Sequence, residues 1–141
     1  MDFDTVMLIG RIMFSAIFIG SGVGHLMDTE GSTAYATGRG INNPQLMVQI
    51  SGVCLGLGGV AMLLGIWIDL AALLAAILVL IIGFMAHAFW KETDEMAKQA
   101  EMSMFMKNLA IAGGALVISG AYGSVAGEFF TGQLVDPIGL W

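Results

Sequence analysis

Residues 69–90 read DLAALLAAILVLIIGFMAHAFW, and the only ionisable side chains in the run are Asp69 and His87, one near each end. A soluble strand or helix alternates apolar and polar residues at a period of 2 or 3.6, and this stretch does neither. Its length matches the roughly 20 apolar residues that an α-helix needs to cross a bilayer. Windows 6–27, 46–66 and 104–127 have the same character. The expectation is one domain over residues 1–141: an all-α integral membrane four-helix bundle, with antiparallel neighbouring helices and both termini on the same side.

The composition agrees. Of 141 residues, 57% are hydrophobic and 11% charged, and the mean hydropathy is +0.86. A soluble domain carries about 25% charged residues, so this surface belongs against lipid. A net charge of −6 with no basic patch excludes nucleic acid as a partner. The one cysteine, Cys54, lies in an apolar run and is expected to be inert; no Cys or His spacing suggests a metal site. Asp2 and Asp4 stand where a cleavable signal would be basic, so the first helix is expected to be retained. No nucleophile elbow, phosphate loop or HExxH occurs.

Windows 46–66 and 69–90 are joined by almost nothing and should form a tight hairpin. The first connection, 28–45, carries the turn formers Gly31, Gly38, Gly40, Asn42, Asn43 and Pro44. The third, 91–103, lacks Gly and Pro, so it can extend a neighbouring helix or lie on the surface. Arg39, Lys91, Lys98 and Lys107 fall on this side, whereas Asp2, Asp4, Asp69, Glu128 and Asp136 fall on the other, with Arg11 the only cation nearby. The positive-inside rule then puts connections one and three in the cytoplasm and both termini outside a cell inner membrane.

Membrane helices associate through small residues and polar contacts. Gly20/Gly24, Gly52/Gly56 and Gly123/Gly127 have GxxxG spacing, and Ala71/Ala75 with Ala72/Ala76 replace it in the third span. Polar residues fall on the same seams. At about 100° per residue, Arg11 and His25 come within about 40° of each other, and Asp69 and His87 lie five full turns apart. Gln49 joins Gly52, Gly56 and Gly59; Asn108 joins Ala112, Ala115, Ser119 and Tyr122. Ionisable groups in a span face the protein interior, so the stripes should converge on the bundle axis.

Two clusters result. At the outer end Arg11 is expected to form a structural ion pair with Asp69 or to snorkel outward. At the cytoplasmic end His25, Gln49, His87, Trp90, Lys107 and Asn108 share one depth, a candidate cluster for a quinone or a lipid headgroup. Two histidines there can hydrogen-bond a quinone carbonyl, move protons or ligate haem, or simply cap helix ends beside an aromatic anchor. Haem is disfavoured because it needs the imidazoles to face each other across a wide gap. The methionines Met96, Met102, Met104 and Met106 read as an adaptable apolar face for the membrane or a partner.

Particular motifs also carry a resemblance. Gly10-Arg11 with Phe14, Phe18, Ser21-Gly22 and His25-Leu26, then Tyr35, Gly40, Pro44, Gly52, Gly58-Gly59 and Gly65, resemble the DoxX-type membrane proteins. His87-Ala88-Phe89-Trp90 and the run from Phe105 to Gly114 resemble that family's third- and fourth-span signatures. The resemblance implies a small accessory subunit of a quinone-linked respiratory or oxidoreductase complex, not catalytic alone, whose larger partners hold the cofactors. The alternative is a non-enzymatic scaffold or assembly protein that docks larger membrane subunits. Its partners would be the lipid bilayer, those redox subunits and, in an oligomer, a second copy. No cofactor is expected to be held by this chain alone; a quinone is the candidate, and haem is disfavoured.

Overall fold

The computed structural model of the protein describes residues 3–124 and 133–141. It is all-helical: α1 (Phe3–Met27), α2 (Thr29–Gly38), α3 (Pro44–Leu64), α4 (Ile68–Ala86) and α5 (Glu95–Gly123), with one 3-10 turn at Phe89–Lys91. Segments Asp4–Met27, Pro44–Leu64, Ile68–Lys91 and Glu95–Gly123 are long and apolar enough to cross a membrane. The four expected spans are therefore present. The expected end of the fourth at Gly127 lies outside the described residues, as do Asp2 and Glu128.

Local chemistry sets the boundaries. Pro44 opens α3 at a position where its missing N–H costs nothing. Gly65 (φ 72°) and Trp67 (φ 42°) make the left-handed turn that closes the short hairpin into α4. The connection 28–45 holds a ten-residue helix, α2, whose start is capped by the Asp28 carboxylate accepting from Gly31 N–H at 3.1 Å. The connection 91–103 becomes the first turns of α5, capped by Asp94, which accepts from Ala97 N–H at 2.8 Å.

The long helices pack chiefly as two pairs, α1 on α3 and α4 on α5. Phe18 meets Gly59, Gly22 meets Gly52 and Gly56, and His25 meets Ser51, so contacts step backwards along α3 as α1 advances. In the second pair Ser119 Oγ donates to the Asp69 carbonyl at 2.8 Å, Ala76 packs with Ala112 and Ala115, and Gly83 faces Asn108. Phe18, Leu55, Met62, Ala72, Ala75 and Val79 join the pairs in one core.

The stripe from Asn108 to Tyr122 is buried throughout, and so are Gly52 and Gly59. The seam of α1 differs from the expected one: Gly22 makes the close approach, while a Cβ at Gly20 or Gly24 would meet nothing within 4 Å. Met13, Leu57, Leu74 and Val117 project outward at mid-helix, on surface that only lipid or another apolar face can cover.

Candidate functional site

Tyr35 on α2 and Arg39, which caps its C-terminus, stand one turn apart, and both reach across to the start of α5. Arg39 pairs with Glu92 and with Oε1 of Glu101, and its guanidinium lies 4.9 Å from the Tyr35 ring centre. The Tyr35 hydroxyl is within 3.1 Å of the Ala86 carbonyl, both Glu101 carboxylate oxygens and His87 Nδ1. His87 ends α4, and its Nδ1 lies 2.8 Å from Glu101 Oε2. Glu101, on α5, thus collects three donors from the C-terminal ends of two other helices, α2 and α4.

These partners shift the groups on α2. Partial burial pushes the Tyr35 phenol above its ordinary value, and the Glu101 carboxylate pushes the same way. For Arg39, burial alone would lower the guanidinium, but Glu92, Tyr35 and Glu101 outweigh it and the net direction is upward.

Two cavities flank the histidines. The larger, about 420 Å³, lies under α2 and between α3 and α4, with His25, Ser51, Tyr35 and His87 among its polar walls and Leu78, Ile81, Ile82 and Met85 among its apolar ones. Met47, Ile50, Ile81 and Met85 are also exposed on the outer faces of α3 and α4, so the cavity reaches the surface that lipid covers. The smaller, about 180 Å³, is lined by Ser21, His25, His87, Lys107 and Asn108, with Phe18, Val79 and Ile82. His25, Ile82 and His87 line both. His25 Nδ1 is 2.8 Å from Ser51 Oγ, which donates in turn to the Val48 carbonyl at 2.9 Å. Among the described residues no group of three or more His, Cys, Asp or Glu side chains is arranged to hold a metal ion.

The sequence model of the DoxX family matches residues 6–88. The chain belongs to the DoxX family. It is also 31% identical over 123 residues to inner membrane protein YqjF of Escherichia coli (strain K12), a match spanning 84% of this chain and 88% of the relative. No solved structure matches. The matched DoxX region runs through α1 to α4 and includes both histidines; the fourth-span motif at 105–114 and Glu101 lie beyond it.

Of the six residues expected to cluster in this DoxX protein, His25, His87, Lys107 and Asn108 do surround one cavity. Gln49 and Trp90 line neither. Gln49 is exposed because the packed side of α3 is set by Val48, Gly52, Leu55 and Gly59, and position 49 points away from it. Trp90 instead packs in an aromatic group with Phe84, Phe89 and Phe105. Ser51, Glu92 and Glu101 were missed, although Glu101 continues the spacing of seven shared by Asn108, Ala115 and Tyr122.

At the opposite end Arg11 and Asp69 are both buried, as expected, but the ion pair expected between them is not among those the described residues form. The Asp69 carboxylate accepts backbone N–H groups of Ile138 (3.0 Å) and Gly139 (2.9 Å) instead, with Leu140 N–H at 3.4 Å. Backbone N–H groups of the tail thus give the buried carboxylate its hydrogen-bond donors.

Proposed function

We propose that this DoxX protein is a small integral accessory subunit of a quinone-linked redox complex in the inner membrane, and that its larger cavity receives the quinone headgroup. The observation that carries the reading is the cavity's polarity: histidine, tyrosine and serine gather at one end, with aliphatic walls that reach the lipid face between α3 and α4. Its volume, about 420 Å³, lies in the range of small-molecule sites. A quinone has the matching form, a polar ring on an apolar tail. His25, Tyr35 and His87 would hold the ring's oxygens, Leu78, Ile81, Ile82 and Met85 its apolar part, and the group would supply electron carriage to larger partner subunits. Arg39, Lys91, Lys98 and Lys107 favour a cytoplasmic location for this end, with both termini outside.

The test is quinone retention. Wild-type protein purified in mild detergent should carry quinone extractable by organic solvent, and His87→Ala and Met85→Trp should lose most of it while remaining folded. Equal retention by both folded variants would overturn the reading.

A second reading, a scaffold that docks larger membrane subunits, is favoured by Gly20 and Gly24, which leave an open small-residue ridge on α1. It expects deletion to lower the amount of an assembled complex while its specific turnover stays normal.

A further inference from the structure

We infer that the cavity discriminates between the redox forms of its ligand, taking the hydroquinone in preference to the quinone, because Ser51 and Glu101 fix the same tautomer on both histidines. The inference rests on the reading of the larger cavity as a quinone headgroup site.

A serine hydroxyl has one proton to give. Ser51 Oγ lies 2.9 Å from the Val48 carbonyl, which can only accept, so the proton is spent there. The same oxygen is 2.8 Å from His25 Nδ1 and must accept, which puts the imidazole hydrogen on Nδ1. A neutral imidazole carries one N–H, so Nε2 of His25 is a lone pair. At His87 the partner of Nδ1 is a carboxylate oxygen of Glu101 at 2.8 Å, whose other oxygen receives Arg39. A carboxylate in such contacts only accepts, so Nδ1 again carries the hydrogen, and in the neutral ring Nε2 again is a lone pair. No described residue bonds either Nε2.

Both rings line the cavity. Asp28, a further ionisable group on its wall, is an acceptor as well, and the Tyr35 proton is claimed by the acceptors around its hydroxyl. The polar end therefore asks its ligand for donors. A hydroquinone has two hydroxyl groups to donate, whereas a quinone has two carbonyls that would face lone pairs and leave both sides unpaired. Ser51 and Glu101 set this preference without touching the ligand; they are positioning residues.

The experiment uses the full chain in nanodiscs at pH 8, above the ordinary imidazole range. Under anaerobic conditions a short-tailed benzoquinone, its hydroquinone and the dimethyl ether of that hydroquinone are titrated by calorimetry. The hydroquinone is expected to bind roughly fivefold to tenfold tighter than either of the others, about the worth of one or more net hydrogen bonds. Ser51→Ala and Glu101→Gln, each able to release its histidine to the other tautomer, should narrow that ratio severalfold. If none of the three probes binds, the headgroup reading itself fails and this inference with it. If they bind but the quinone binds as tightly as the hydroquinone, the redox selectivity is overturned while the site stands. A preference unchanged in both variants would overturn the roles of Ser51 and Glu101.

Discussion

His87 Nδ1 lies 2.8 Å from Oε2 of Glu101, fourteen residues along the chain, and this contact ties the end of α4 to the start of α5. Arg39 on the other carboxylate oxygen brings in α2. Removing Glu101 takes a charged acceptor from three donors in a part-buried site and leaves His87 Nδ1 without its carboxylate, which costs about 1–3 kcal/mol. Among the described residues Glu92 forms one ion pair, with Arg39, and is more exposed than Glu101, so its loss should cost at most about 1 kcal/mol. Thermal unfolding in detergent should therefore rank Glu101→Ala well below Glu92→Ala, with Glu101→Gln between them. The reverse order would contradict the placement of Glu101 at the hub.

Tyr35 links the same hub to alkaline pH. Its phenol is pushed above the ordinary value near 10 by partial burial and by Glu101, so folding favours the protonated form. For a group whose folded value is raised, the stabilising effect is complete below the unfolded value and is lost as pH rises through the folded one. Stability from this source should be flat through neutral pH and decline only above about pH 10. Phenolate absorbance of the protein's two tyrosines should show a component titrating later than a free phenol, and Tyr35→Phe should remove it. An unchanged titration curve in that variant would count against the contact.

The spans were legible in the sequence because apolar length alone decides them in a bilayer, and the inward stripe of α5 was legible because Asn108, Ala112, Ala115, Ser119 and Tyr122 repeat at helical spacing. The helix α2 was hidden. Its glycines, Gly31 and Gly38, read as turn formers, and the Asp28 cap that starts it is visible only once Gly31 N–H is placed. Glu101 was hidden for a related reason: a charged stretch reads as a connection unless the Asp94 cap is recognised as starting α5 nine residues before the apolar window. The two histidines were found by type and depth, but their partners Ser51 and Glu101 depend on which face of a neighbouring helix turns inward.

The tail provides a separate test at the opposite end. Asp69 is fully buried and holds the N–H groups of Ile138 and Gly139, while Trp141 Nε1 donates to Ser119 Oγ at 3.1 Å. Hydrogen bonds to a charged acceptor contribute about 1.5–3 kcal/mol each, more than a short tail needs to stay docked. Asp69→Ala should release it, so that carboxypeptidase trims residues 138–141 much faster than in the wild type. Unaltered trimming in a folded variant would show that the carboxylate is not the anchor.

The helix seam separates glycines that look alike in sequence. Gly20, Gly22 and Gly24 are alternate residues of α1, yet a Cβ at Gly22 would come within 2.6 Å of Gly56 N and 2.7 Å of Gly52 O, both backbone atoms that cannot turn aside. At Gly20 and Gly24 the same Cβ meets nothing. Gly22→Ala should force α1 away from α3, an overpacking cost of about 1–3 kcal/mol, and because His25 lies on the same pair of helices it should also stretch the contact to Ser51. Gly24→Ala should be neutral, or stabilising by up to about 1 kcal/mol through helix propensity. Unfolding midpoints of the single variants in detergent check the contrast. If Gly24→Ala proves as damaging as Gly22→Ala in the isolated protein, the α1 seam does not run through Gly22; if it is silent there and lowers only the yield of a larger assembly, the open ridge of Gly20 and Gly24 is where a partner helix sits.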